Sequence, residues 1–108
     1  MIQQEKERLK KIGEALLTGN SVDVIDSDSN GNVGLIFFKA IPPNFGEEEQ
    51  DEIRLCFLTL QFLGKQMGWK TYPKRKDALL RHVPTSSDWF FSLRLEKKIT
   101  PQLKRRAA

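Results

Sequence analysis

Apolar residues recur at helical spacing twice in this chain and at strand spacing twice more. Ile2, Leu9, Ile12 and Leu16 fall on one helical stripe with Leu17 beside it. Gln, Lys, Arg and Glu fill the opposite face and are good helix formers, so the spacing predicts a helix from Ile2 to about Thr18, stopped by Gly19–Asn20. Gly13 weakens this helix or marks a close contact. Ser21 to Asp26 alternates apolar and polar, and Val33 to Ile41 is β-branched and aromatic. Asn30–Gly31 between them is a strong hairpin signal, because both central residues of a type I′ turn need positive φ. The second run is apolar at nearly every position, as expected of a central strand covered on both faces.

Pro42–Pro43 ends that strand. Asn44 with Glu47 three residues on makes a capping-box pattern, and Glu48 and Glu49 suit the positive end of a helix. The second helix is expected from about Gly46 to Gln66, with Ile53, Phe57, Leu60, Leu63 and Met67 as its main stripe. Leu55, Leu58 and Phe62 broaden that stripe, which predicts a largely buried helix closed by Gly68. Trp69 to Lys76 reads as a loop, Asp77 to His82 as a short helical turn with Asp77 as N-cap, and Val83 to Ser87 as another loop. From Asp88 to Ile99 the alternation is clearest. Trp89, Phe91, Leu93, Leu95 and Ile99 point one way, and Phe90, Ser92, Arg94, Glu96 and Lys98 the other. Pro101 stops this strand and Gln102 to Ala108 is a basic tail.

The order α-β-β-α-(α)-β predicts an α+β fold. Its simplest form is a small, mostly antiparallel three-stranded sheet packed against two long helices. Residues 1–100 form one such domain, followed by the tail at 101–108. A sheet this small has two edges, which an edge-to-edge homodimer or docking on a larger assembly would cover.

Composition narrows the class. With 39% hydrophobic and 30% charged residues the chain is a globular mixture. One cysteine, Cys56, excludes an internal disulfide, and with one histidine besides it the set is too poor for a zinc site. The charged start, MIQQEKERLKK, lacks the apolar core of a signal peptide. The apolar stretch at Leu55–Leu63 is broken by Thr59 and Gln61 and is too short to span a bilayer. The expected setting is the cytoplasm, or the nucleus in a eukaryote, without a membrane role.

Net charge is +4, but residues 1–68 carry seven Lys/Arg against eleven Asp/Glu, whereas residues 69–108 carry eleven against three. Such asymmetry suggests a surface aimed at a polyanion.

Chemistry is scarce. Asp26-Ser-Asp28-Ser-Asn30-Gly31 resembles the first half of an EF-hand calcium loop, but the position of the bidentate glutamate holds Phe37. Asp23 or Asp26 followed by Phe37-Phe38-Lys39 resembles the hairpin of the PD-(D/E)xK nucleases, with Phe37 in place of the second acid. Gly34-Leu35-Ile36-Phe37-Phe38 resembles the end of the aromatic strand of the RNA-recognition motif, without the Lys/Arg-Gly-aromatic part that precedes it there. Cys56 lies in the apolar middle of a helix, His82 has no partner in sequence, and the glycines match neither nucleotide fingerprint. No metal, cofactor or catalytic set is therefore expected.

The most suggestive segment is Trp69-Lys70-Thr71-Tyr72-Pro73-Lys74-Arg75-Lys76. Rings stack on exposed bases while cations neutralise phosphates. Arg81 extends it, Arg94 and Lys98 lie on the polar face of the last strand beside Phe90, and Lys104, Arg105 and Arg106 form a second cluster. The expected function is a non-enzymatic nucleic-acid-binding accessory protein. Trp69 and Tyr72 would stack, and Lys70, Lys74, Arg75, Lys76 and Arg81 would bind phosphate. Its rival is a protein-interaction module, a small subunit, adaptor or inhibitor docking on a larger protein or ribonucleoprotein complex.

Overall fold

The computed structural model describes residues 2–17, 22–29, 31–82 and 88–99. The expected basic tail lies outside them, as does the Val83–Ser87 loop. The fold is α+β: helix α1 (Ile2–Leu16), strands β1 (Asp23–Asp26) and β2 (Asn32–Ile41), helix α2 (Glu47–Gln66), then strands β3 (Lys70–Tyr72), β4 (Leu80–His82) and β5 (Trp89–Lys98).

The sheet is five-stranded and antiparallel rather than three-stranded. Its centre is the β2–β5 pair, in register from Asn32↔Lys98 to Ile41↔Trp89. β1 covers the free edge of β2, while β3 and β4 follow one another along the other edge of β5. Between them the Ser92 N–H donates to the Leu79 carbonyl at 3.0 Å, so the ladder continues. The two short strands fall where sequence predicts a loop and a helical turn. Only Lys76–Ala78 is helical, as one 3-10 turn. Three-residue segments carry too little periodicity to reveal themselves, and here the hydrogen-bonding edge of β5 decides their conformation.

Both helices pack on one face of the sheet. That face presents Val33, Leu35 and Phe37 from β2, Phe91, Leu93 and Leu95 from β5 and Thr71 from β3, all buried. Against them α1 brings Leu9 and α2 brings Ile53, Phe57 and Leu60, with the Phe57 and Phe91 rings stacked at 5.3 Å. Gly13 lets α1 approach closely, since a Cβ there would lie 2.4 Å from Cε1 of Phe37.

The chain reverses between Ser29 and Asn32, and of the expected Asn30–Gly31 pair Asn30 lies outside the described residues. Ser29 and Asn32 exchange backbone hydrogen bonds of 3.1 and 2.9 Å, and Gly31 has φ +75°. The expected capping box at Asn44 does not form. The N-cap of α2 is Gly46, two residues later, and it makes no side-chain hydrogen bond. Nor is α2 buried as broadly as its sequence implies, for Leu55 is 66% and Phe62 60% exposed. A helix lying on one face of a sheet buries one stripe, and these two residues, two turns apart, fall outside it.

Candidate nucleic-acid interface

Alternation along a strand sends successive side chains to opposite faces. The face of the sheet away from the helices therefore holds Ile36, Phe38 and Ala40 of β2 and Phe90, Ser92, Arg94, Glu96 and Lys98 of β5. Register adds Lys70 and Tyr72 of β3, opposite Glu96 and Arg94, and Arg81 of β4, opposite Phe90. From β1 come Asp23 and Ile25, opposite Phe38 and Ile36. Among the described residues no helix lies over this face.

The result is an apolar, ring-bearing surface with cations around it. The Phe38 and Phe90 rings pack at 5.3 Å and 31°. The Arg94 guanidinium sits 5.3 Å from the centre of the Tyr72 ring and also pairs with Glu96. At that distance the guanidinium is attracted to the face of the ring. Lys70, Arg81 and Lys98 are exposed.

Five of the sequence-selected residues thus come together on one surface: Lys70, Tyr72, Arg81, Arg94 and Lys98. Trp69 does not join them, and its expected stacking role is corrected by its burial. It is 3% exposed, and its indole N–H donates to Glu5 Oε1 at 2.9 Å. The reason is positional. Trp69 follows the end of α2, where its backbone N–H caps the helix through Gly64 O at 2.8 Å and its ring turns into the core. Lys74, Arg75 and Lys76 occupy the β3–β4 connection with exposed side chains, and the backbone carbonyls at 73–75 are tied to α2. Buried Gln61 donates to the carbonyls of Pro73 and Arg75 at 2.9 and 3.4 Å, and Lys65 donates to that of Lys74 at 3.0 Å. Arg75 is engaged by Asp77 through hydrogen bonds of 3.1 and 2.9 Å. Lys104, Arg105 and Arg106 lie outside the described residues.

Phe38 was not selected by sequence, although its even position in β2 and the alternation of that strand place it opposite the buried Phe37. Near-continuous hydrophobicity from Val33 to Ile41 reads as a strand buried on both faces. Its second face is instead the floor of an open surface.

The remaining motifs resolve into structure. Lys6, on the core side of α1, places its ammonium 3.1 Å from Asp26 Oδ1 and 3.0 Å from Asp28 Oδ1. A lysine thus occupies the cation position that the calcium-like turn suggests. Burial alone would lower its pKa, but the hydrogen bonds to Asp28 and Asp26 outweigh it and the net shift is upward. The backbone N–H of Gly34 and then Lys6 hold the Asp28 carboxyl below its usual range. The acids of the nuclease-like hairpin do not converge. Phe37 is fully buried, Asp23 lies on the open face and Lys39 sits 5.7 Å from the Phe45 ring. Cys56 is half-buried, its thiol donating to Leu16 O at 3.2 Å, and burial followed by the Glu52 charge pushes its pKa up, which disfavours the nucleophilic thiolate. The His82 ring packs on Trp89 at 4.7 Å. Among the described residues no group of three His, Cys, Asp or Glu side chains is placed to hold a metal. No helix among them is long and apolar enough to cross a membrane.

A scan against protein-family models and searches of curated proteins and of solved structures each returned no match.

Proposed function

We propose that this chain is a non-enzymatic nucleic-acid-binding accessory protein whose contact surface is the open face of the sheet. One observation carries the reading: Tyr72, Phe38 and Phe90 share that face with Lys70, Arg81, Arg94 and Lys98. Rings offer flat surfaces to bases of any identity, and cations beside them neutralise the phosphates that link those bases. Contacts of this kind favour affinity over sequence preference. Lys74 and Lys76 add a diffuse field from the adjoining edge. The cytoplasm suits the half-buried thiol of Cys56.

Fluorescence anisotropy with single-stranded RNA, single-stranded DNA and duplex DNA at several salt concentrations tests the proposal. Binding should weaken steeply with salt. Changing Lys70, Arg81 and Lys98 together to Ala should lower the slope of log K against log salt by about 2, at roughly 0.7 per phosphate contact on a single strand. The triple change of Lys74, Arg75 and Lys76 should lower it less. No binding at low salt, or a slope untouched by the first triple change, overturns the reading.

A second reading, a protein-interaction module, draws on α2. Leu55 and Phe62 are 66% and 60% exposed on a helix that opens with Glu47, Glu48 and Glu49, so an apolar patch with an acidic flank is available to a protein partner. A complex that survives nuclease treatment and is lost in Leu55→Lys, Phe62→Lys would favour it.

A further inference from the structure

At the end of the sheet where β2 leaves and β5 enters, two clefts meet. One, of about 350 Å³, opens from the open face between Phe38, Ala40 and Phe90 and runs to Pro42, Pro43 and Trp89. The second, of about 330 Å³, shares Ile41, Pro42, Pro43 and Trp89 and continues towards Phe45 and Leu80. Trp89 is 45% exposed where the clefts join, and the His82 ring supports it at 4.7 Å. The cleft therefore continues the ring-bearing surface around the end of the sheet and ends on a braced, accessible indole.

Two stacking stations lie on the open face of β5, and a third lies round its end, reached through the cleft. Tyr72 with Arg94 marks the first, the Phe38–Phe90 pair the second and Trp89 the third. Arg94 and Phe90 are four residues apart along β5, roughly 13 Å, with Phe38 in the row between them, a spacing that suits bases pulled out of their own stack.

Resting on the function proposed above, we infer that the surface takes an unpaired strand of about four nucleotides running along β5, with one terminal base seated in the cleft against Trp89. Bases in a duplex bury both faces in the stack and cannot enter. A single strand supplies free base faces to the rings and leaves its phosphates to Lys70, Arg81 and Lys98.

The test uses the full chain with thymidylate and uridylate oligomers of two to ten nucleotides, and with a duplex of ten base pairs. Affinity should climb to about four nucleotides and then level, with the duplex bound at least tenfold more weakly. Trp69 is buried, so quenching of tryptophan fluorescence on binding reports Trp89 and should vanish in Trp89→Phe. Trp89→Ala should weaken the four-nucleotide strand about tenfold, as expected for one lost stacked base. A circular-dichroism melt confirms that both variants fold, and the wild-type quench is independent of either. If oligomers bind without quenching, or the duplex binds equally well, the inference falls while the open-face proposal stands. If no oligomer binds, both fall.

Discussion

The indole N–H of Trp69 and the carboxylate of Glu5, 64 residues apart in sequence, meet at 2.9 Å beneath the end of α2. The same carboxylate oxygen accepts from Lys97 Nζ at 2.8 Å, and Lys97 also donates to Met67 O at 2.9 Å. One oxygen thus joins the start of α1, the exit of α2 and the end of β5. Trp69 is a fastener of the fold. Trp69→Phe, which loses the donor and part of the buried indole, should lower stability in urea by about 2–4 kcal/mol. It should leave nucleic-acid affinity within twofold.

Glu5 also makes stability depend on pH. The Lys97 hydrogen bond, opposed by partial burial and aided by Trp69, holds its pKa below the ordinary 4.5. A carboxyl with a lowered folded-state pKa contributes stability that is full above the unfolded value and lost as pH falls through the folded one. Urea midpoints measured from pH 6 down to pH 3 should therefore fall below about pH 4.5. Glu5→Gln should flatten part of that decline.

The Asp26–Asp28 turn should ignore calcium. Lys6 already places its ammonium within 3.1 Å of both carboxylates. Adding millimolar calcium should leave the melting temperature unchanged. Lys6→Met should change the urea midpoint only modestly, because the carboxylates it leaves behind are half exposed and water solvates them.

Thr71 offers a stabilising change. It is 2% exposed, on the helix-covered side of β3, and its hydroxyl is buried without a hydrogen-bond partner. Thr71→Val keeps the shape, removes the unsatisfied polar atom and suits a strand. It should raise stability by about 1 kcal/mol. A lower urea midpoint in this variant would show that the hydroxyl is satisfied.

The long elements were legible because their periodicity is long. Ten residues of alternation in β5 and the Asn30–Gly31 signal give the sheet's centre, and the stripes in α1 and α2 give its cover. β3 and β4 were hidden because three residues have no rhythm of their own and take their conformation from the neighbouring edge. The site was half legible for a related reason. Strand parity puts Arg94, Lys98 and Phe90 on one face, but only register with β5 brings Lys70, Tyr72 and Arg81 to it. Trp69 misleads because its neighbours are cationic, whereas its placement is set by the helix it terminates.

Because β2, β3 and β4 all pair with β5 and all precede it in the chain, the ribosome delivers the keystone after the stones that lean on it. Until residues 89–98 emerge, Val33, Leu35 and Phe37 have an open backbone edge beside them and Lys70–Tyr72 has no ladder to join. Three of the sheet's four strand pairings therefore wait for the last strand, and those of β2 and β3 join residues distant in sequence, the kind of contact that slows folding.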